Sequence, residues 1–342
     1  MRGSAKIPGQ ARIRSLVAAV LAGTLMALTA PLAARAAPSS GDDGDPALQQ
    51  KLAAASQAYN DAKGRLLVAK QRQADLELQA QETATQLTEI STQVSAMAVQ
   101  EYKGGRLAGV SVLLDSSNAT DFLDRATTLY QQAAQDNRLL EQAHAFQAQY
   151  DQQHAAIANE VAYQQNQLAV MAKRKQDAEK ALTAANSGTT SGPGGNLVAT
   201  ATPAPRNPDG SWPPETCSVN DPTTSGCITP RMLHAYQQAR AAGFTRYTSC
   251  YRSGGSGEHP KGRACDFSAH SNTFLNAVAT GDDKAYGDRL AAWLIANSDR
   301  LAVLYIIWFK RIWLPSTGWR TYTAGDGTPA GDHYNHVHLS VQ

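Results

Sequence analysis

The chain has 342 residues, 42% hydrophobic and 18% charged, a globular composition that excludes collagen-like and wholly disordered classes. A net charge of +2, without any run that interleaves aromatic and basic side chains, argues against a nucleic-acid binder.

Residues 1–37 read as a secretory signal peptide. Arg2, Lys6, Arg12 and Arg14 precede an apolar run over 16–28, and Ala34-Arg35-Ala36 supplies a small-x-small cleavage site. Thr24, Thr29 and Pro31 break that run short of the ~20 apolar residues that a spanning helix needs. The expected location is therefore secreted, at the cell wall or envelope.

From Leu48 the small and apolar positions step by four and three through Leu52, Ala55, Tyr59, Ala62, Leu66 and Ala69, then Leu76, Ala80, Leu87, Ile90, Val94 and Met97, a heptad seam with the polar Gln73 and Thr83 in it. A second seam runs from Phe122 through Leu129, Leu140, Tyr150, Leu168 and Ala178 to Leu182. Between them stand Gly104-Gly105, the apolar run Val110-Ser111-Val112-Leu113-Leu114, and Asp115-Ser116-Ser117-Asn118, whose side chains suit a helix start. The pattern predicts an antiparallel coiled-coil hairpin over 46–185 with its tip near 103–118. Alanine-rich seams bury little area, so the rod is expected to bend or repack easily. Its exposed apolar tip is expected to bind another envelope protein.

Residues 186–214 turn to Ser, Thr, Gly and Pro and read as a flexible linker. The last part, 215–342, suffices for one small mixed α/β domain, so the fold class expected for the chain is α+β. Thr229-Pro230 starts a helix that Gly243 ends; 283–296 reads as another helix and 301–309 as a buried strand. Cys217, Cys227, Cys250 and Cys265 all lie here, which suits disulfides in an oxidising compartment. Three pairings are open, and Cys217 with Cys227 and Cys250 with Cys265 is expected because each closes a short loop.

Two segments carry chemistry. The first is Ser256-Gly257-Glu258-His259-Pro260-Lys261-Gly262-Arg263-Ala264-Cys265-Asp266, which places a histidine and a carboxylate near one glycine-containing loop. The second, Asp332-His333-Tyr334-Asn335-His336-Val337-His338-Leu339, ends as a strand on which His336 and His338 project together. Three protein ligands with an open position are the usual design of a catalytic zinc site, and His259, Asp266 and His338 would supply two imidazoles and a carboxylate. His336 would then stand ready as a base. Either segment alone is weak evidence for metal. Asp332 shares strand parity with His336 and can either orient it or, equally, cap a turn as a loop carboxylate, whereas His333 has the opposite parity and is expected at the surface. Trp308, Arg311, Trp313 and Trp319 are candidates to line a groove, with a core role as the bland alternative.

These residues resemble the superfamily of D-Ala-D-Ala metallopeptidases and lysostaphin-type endopeptidases. The likeness rests on His259, Gly262, Ala264 and Asp266 at their mutual offsets with the later His-x-His, and it spans roughly 245–342. It implies zinc on His259, Asp266 and His338, a catalytic His336, and, from Tyr251-Arg252-Ser253, an Arg252 that binds substrate and steadies an oxyanion. Gly257 departs from the family's serine, and Asn335 stands where one branch has glutamate. The implied activity is hydrolysis of peptidoglycan stem peptides, as a carboxypeptidase or an endopeptidase. The alternative is an inactive wall-binding adaptor that recruits another hydrolase. The segments Tyr102-Lys103-Gly104-Gly105 and Asp121-Phe122-Leu123-Asp124-Arg125 resemble coiled-coil regions of secreted cell-wall hydrolases, which implies docking to a membrane complex of the cell-division transporter type.

Overall fold

The computed structural model of the protein describes residues 45–105 and 108–342. The expected signal peptide lies outside them, as do Arg106 and Leu107 of the expected tip. The architecture is α+β: a long helical hairpin followed by an antiparallel sheet domain.

Helix α1 (Pro46–Gly104) starts on Asp45, whose side chain accepts from the Ala47 amide, and carries Pro46 in its first turn, where the missing N–H costs nothing. Helix α3 (Ala119–Ala184) starts on Asn118, which caps the Asp121 amide. The two run antiparallel: Gln149 donates to Thr83 at 3.3 Å and Gln164 to Gln73 at 2.6 Å, so the two polar seam positions of α1 find partners on α3. A short helix α2 (Ala108–Leu114) forms the tip.

Strands β1 (Val219–Asn220) and β2 (Cys227–Ile228) make a two-stranded ribbon, and Cys217–Cys227 staples it. The main sheet has the order β3-β4-β8-β5-β6-β7, from β3 (Thr248–Ser249), β4 (Ala264–Ser268), β8 (His336–Val341), β5 (Val303–Ile307), β6 (Arg311–Leu314) and β7 (Gly318–Thr321), with every neighbour antiparallel. Helices α4 (Pro230–Ala241), capped by Thr229, and α5 (Gly281–Ala296) cover one face, and a short α6 (Ser298–Leu301) follows. Cys265, Phe267, Val337, Leu339, Ile306 and Trp308 point into that helix-covered core.

The other face carries residues of the opposite parity. Asp266 pairs with His338, His338 with Ile307, and Ser340 with Tyr305, so these side chains share a side. On the same side, Leu52, Ala53, Ala55, Ala178 and Leu182 of the hairpin base join Leu304, Tyr305, Ile307, Ile312 and Leu314 in one apolar cluster. Asn60 adds a hydrogen bond to the Val303 carbonyl at 2.9 Å, and Lys63 pairs with Asp299 at 2.6 Å. The base of the rod is thus part of the domain's packing.

Residues 186–214 correct the expectation of a flexible linker: they form a strap bound along its length. Thr189 bridges to Arg320 at the sheet edge, Trp319 donates to the Pro193 carbonyl, and Trp293 donates to Thr200. Ala201 is 2% exposed, its N–H held by Asn297 and its carbonyl by Arg300. The composition that reads as a linker serves close approach instead. A Cβ at Gly192 would lie 2.7 Å from the Trp319 ring, and Gly210, at φ +86°, presses its backbone on Gly64 of α1.

Candidate metal centre

Neighbouring strands and one loop bring the expected ligands together. Asp266 lies on β4, His338 opposite it on β8, and the turn after Glu258 delivers His259. One ligand atom from each lies within 4.8 Å of the others. His338 Nδ1 is 2.9 Å and His259 Nε2 3.1 Å from Asp266 Oδ1, and the two nitrogens are 3.3 Å apart.

The remaining ring nitrogens are engaged elsewhere, and for His259 the partner sets the tautomer. His259 Nδ1 faces the Cys250 carbonyl, which only accepts, so Nδ1 carries the proton and Nε2 turns its lone pair to the site. His338 Nε2 meets the Ser340 hydroxyl at 2.8 Å, leaving Nδ1 on the Asp266 side, and Tyr305 stacks on the ring at 5.6 Å with 6° between planes. Two imidazole nitrogens and a carboxylate converging in this way fit a divalent ion of the zinc class, with the other nitrogens held as those of metal-ligating histidines usually are. The group can hold a metal; the geometry leaves the element open between zinc and its neighbours.

Burial works against the Asp266 charge, but with the neighbouring rings in their protonated form the charges of His259 and His336 and the hydrogen bonds from His259 and His338 outweigh it. They hold the carboxyl well below the ordinary carboxylate range. Arg252 Nη1 also donates to Asp266 Oδ2 at 3.0 Å, which puts the expected substrate residue against a ligand carboxylate.

His336 stands beside the ligands, its Nε2 3.5 Å from Asp266 Oδ1. Asn335, not Asp332, orients it. Asn335 Nδ2 donates to the Leu275 carbonyl at 2.6 Å, so its Oδ1 accepts from His336 Nδ1 at 2.7 Å and the Nε2 lone pair faces the site. Asp332 instead pairs with Lys310 at 2.8 Å, because the chain turns before β8 begins and strand parity does not extend that far back.

His333 also departs from expectation. It is 0% exposed, its ring 4.7 Å from that of His336 and 5.7 Å from that of His338. Its left-handed backbone, φ 57°, turns the side chain inward, and its carbonyl accepts from the Phe309 amide at 2.9 Å. Nothing in the local sequence signals that turn. Of the aromatic candidates, Trp308 is wholly buried with its indole N–H on Asp288, and Trp319 lies under the strap, so neither lines an open groove. A cavity of about 600 Å³ between strap and α5, lined by Leu197, Phe244, Arg289, Trp293 and Arg311 among others, includes none of the four site residues.

The structure pairs Cys217 with Cys227 and Cys250 with Cys265. Two disulfides suit an oxidising, extracellular setting. No helix among the described residues is long and apolar enough to cross a membrane. Residues 224–334 match a family model described as VldE, C-terminal domain. That span takes in His259 and Asp266 and ends before His336 and His338. No curated protein and no solved structure matches the chain.

Proposed function

We propose that the chain is an exported metallopeptidase that hydrolyses amide bonds in the stem peptides of peptidoglycan. The observation that carries this reading is the convergence of His259 Nε2, Asp266 and His338 Nδ1 with His336 Nε2 beside them. A divalent ion held by the three, zinc by preference for this donor set, would supply Lewis acidity and a water of pKa about 7. His336 takes up a proton at Nε2, and Asn335 fixes the matching tautomer by accepting from Nδ1. Arg252 places a guanidinium at the edge of the site, where it can meet a substrate carbonyl or carboxylate.

The test is hydrolysis of purified muropeptides by the zinc-loaded protein, read by product mass with and without chelator. Full activity in His259→Ala, or intact muropeptides with stoichiometric zinc bound, overturns the peptidase reading. The second reading, a wall-binding adaptor, is favoured by the closure of the site, since His259, Asp266, His336 and His338 are each 0–1% exposed. Wall binding with no product at any zinc loading would select it.

We further infer that the hairpin tip docks on a membrane-associated division complex. Val110 is 50%, Val112 42% and Leu114 80% exposed, an apolar run without cover among the described residues. Val112→Asp with Leu114→Asp is expected to abolish recruitment to the division site while muropeptide hydrolysis stays unchanged. Normal localisation of the folded variant refutes the docking role.

A further inference from the structure

We propose that the Cys250–Cys265 disulfide positions the metal ligands, so that the centre gains its metal affinity only when this pair is oxidised. The inference rests on reading His259, Asp266 and His338 as a metal site. Both cysteines are attached to that site through the chain itself. Cys265 immediately precedes Asp266, and the Cys250 carbonyl accepts from His259 Nδ1 and so selects the tautomer whose Nε2 faces Asp266.

The ladder that would otherwise hold these parts together is short. Strand β3 has two residues, and its last pairing, Ser249 with Asp266, ends just before Cys250. Beyond it the chain enters 251–258, with Gly254, Gly255 and Gly257, which has little intrinsic stiffness. The Cys250 and Tyr251 amides are held by the side chains of Thr223 and Asp221, but its carbonyl is fixed relative to Asp266 by the covalent bridge. The bridge is buried, Cys250 1% and Cys265 0% exposed, on the core side of the strand whose other face carries Asp266. Without it, the His259 acceptor and the Asp266 strand can separate while the helix-covered core remains.

Formation of the bridge removes two electrons and two protons from the two thiols. A disulfide-class oxidant such as glutathione disulfide takes them up and leaves as two thiols. A copy still in a reducing compartment would thus hold a poor metal site. The second disulfide is the comparison: Cys217–Cys227 staples the β1–β2 ribbon and packs on Gly262 of the turn after His259, but neither of its cysteines adjoins a ligand in the chain, and the His259 ring meets the Cys250 carbonyl instead.

The test is zinc affinity, measured by competition with a chromophoric chelator, in the full chain, in Cys250→Ala/Cys265→Ala and in Cys217→Ala/Cys227→Ala. Circular dichroism and thermal melting are recorded in parallel. The first variant is expected to bind zinc ~10–100-fold more weakly, the size of effect that loss of an outer ligand contact produces, and the second to stay near the unmodified value. Unchanged zinc affinity in the first variant, or the same loss in both, overturns the proposal. If the first variant does not fold, the unmodified chain is reduced in denaturant and refolded without oxidant. A folded, zinc-poor product that regains affinity with glutathione disulfide upholds the proposal, and any other product overturns it. An unmodified protein that takes no zinc at all defeats the metal-site reading itself, a result separate from these.

Discussion

The sheet and the hairpin are both built on periodic sequence, which sets the direction of each side chain in both. The difference is cover: the central strands of the sheet are covered on both faces, and every residue of β4 and β8 is buried. On β4 and β8 a period of two sends Cys265, Phe267, Val337 and Leu339 to the helix-covered core and Asp266, His336 and His338 to the opposite face. In the hairpin the heptad positions face a single thin partner. Leu140 remains 37% and Leu168 51% exposed on α3, and the deeply buried apolar residues of that helix are Ala178 and Leu182, both against the sheet. A period names a face; burial needs enough surface opposite it.

The largest effect that would test this contrast is expected on the polar face of the sheet. Asp266→Ala removes the carboxylate on which both histidines converge, and zinc affinity should fall by more than the ~10–100-fold typical of outer-shell changes. Isothermal titration reads it, and retained stoichiometric zinc would mean that strand parity does not define the centre. Next, Leu182→Ala opens a hole between hairpin and sheet and should cost ~2–5 kcal/mol in denaturant unfolding. Leu140→Ala, on the same helix but exposed, should cost less than ~1 kcal/mol, and equal costs would erase the distinction between base and rod.

Asn335→Ala leaves the ligands alone and frees the His336 ring. Turnover of muropeptides should fall ~10-fold or more, part of the 10²–10⁴ that a positioned base contributes, at unchanged zinc affinity. The smallest effect is expected where the strap meets α1. The Ser211 hydroxyl and amide, with Arg65 beside them, hold the Asp209 carboxyl down to about 2 from an ordinary 3.8. A depressed folded value means that its contribution is present above 3.8 and is lost as pH falls toward about 2. With side chains 38% and 44% exposed the pair is screened, so Asp209→Asn should remove less than ~1 kcal/mol at neutral pH and progressively less as pH falls through about 2, by thermal melts across that range.

Much of the centre was legible because its spacing is local. The offset from His259 to Asp266 and the His336-x-His338 pair need only a loop and a strand to converge, and short loop closures make the observed disulfide pairing the natural expectation. Asn335, Ser340 and the Cys250 carbonyl, which hold the ring nitrogens, carry no sequence signal because any polar group at the right distance would serve. His333 was misassigned for a related reason: parity was extended through a turn whose left-handed residue reverses it.

The sequence by itself determined two long helices with a capped break between them, a buried strand near 301–309, the strand on which His336 and His338 share a side, and the short spacing from His259 to Asp266. Those features depend on propensity, capping and period, which act over a few residues. Only the tertiary structure decided that the Gly- and Pro-rich strap lies bound along the domain, and that the hairpin base shares a sheet face with Asp266 and His338, two members of the candidate metal centre. Tyr305 joins that apolar cluster while stacking on His338. Such contacts depend on which surfaces are left uncovered once the local elements exist, and no window of the chain contains that information.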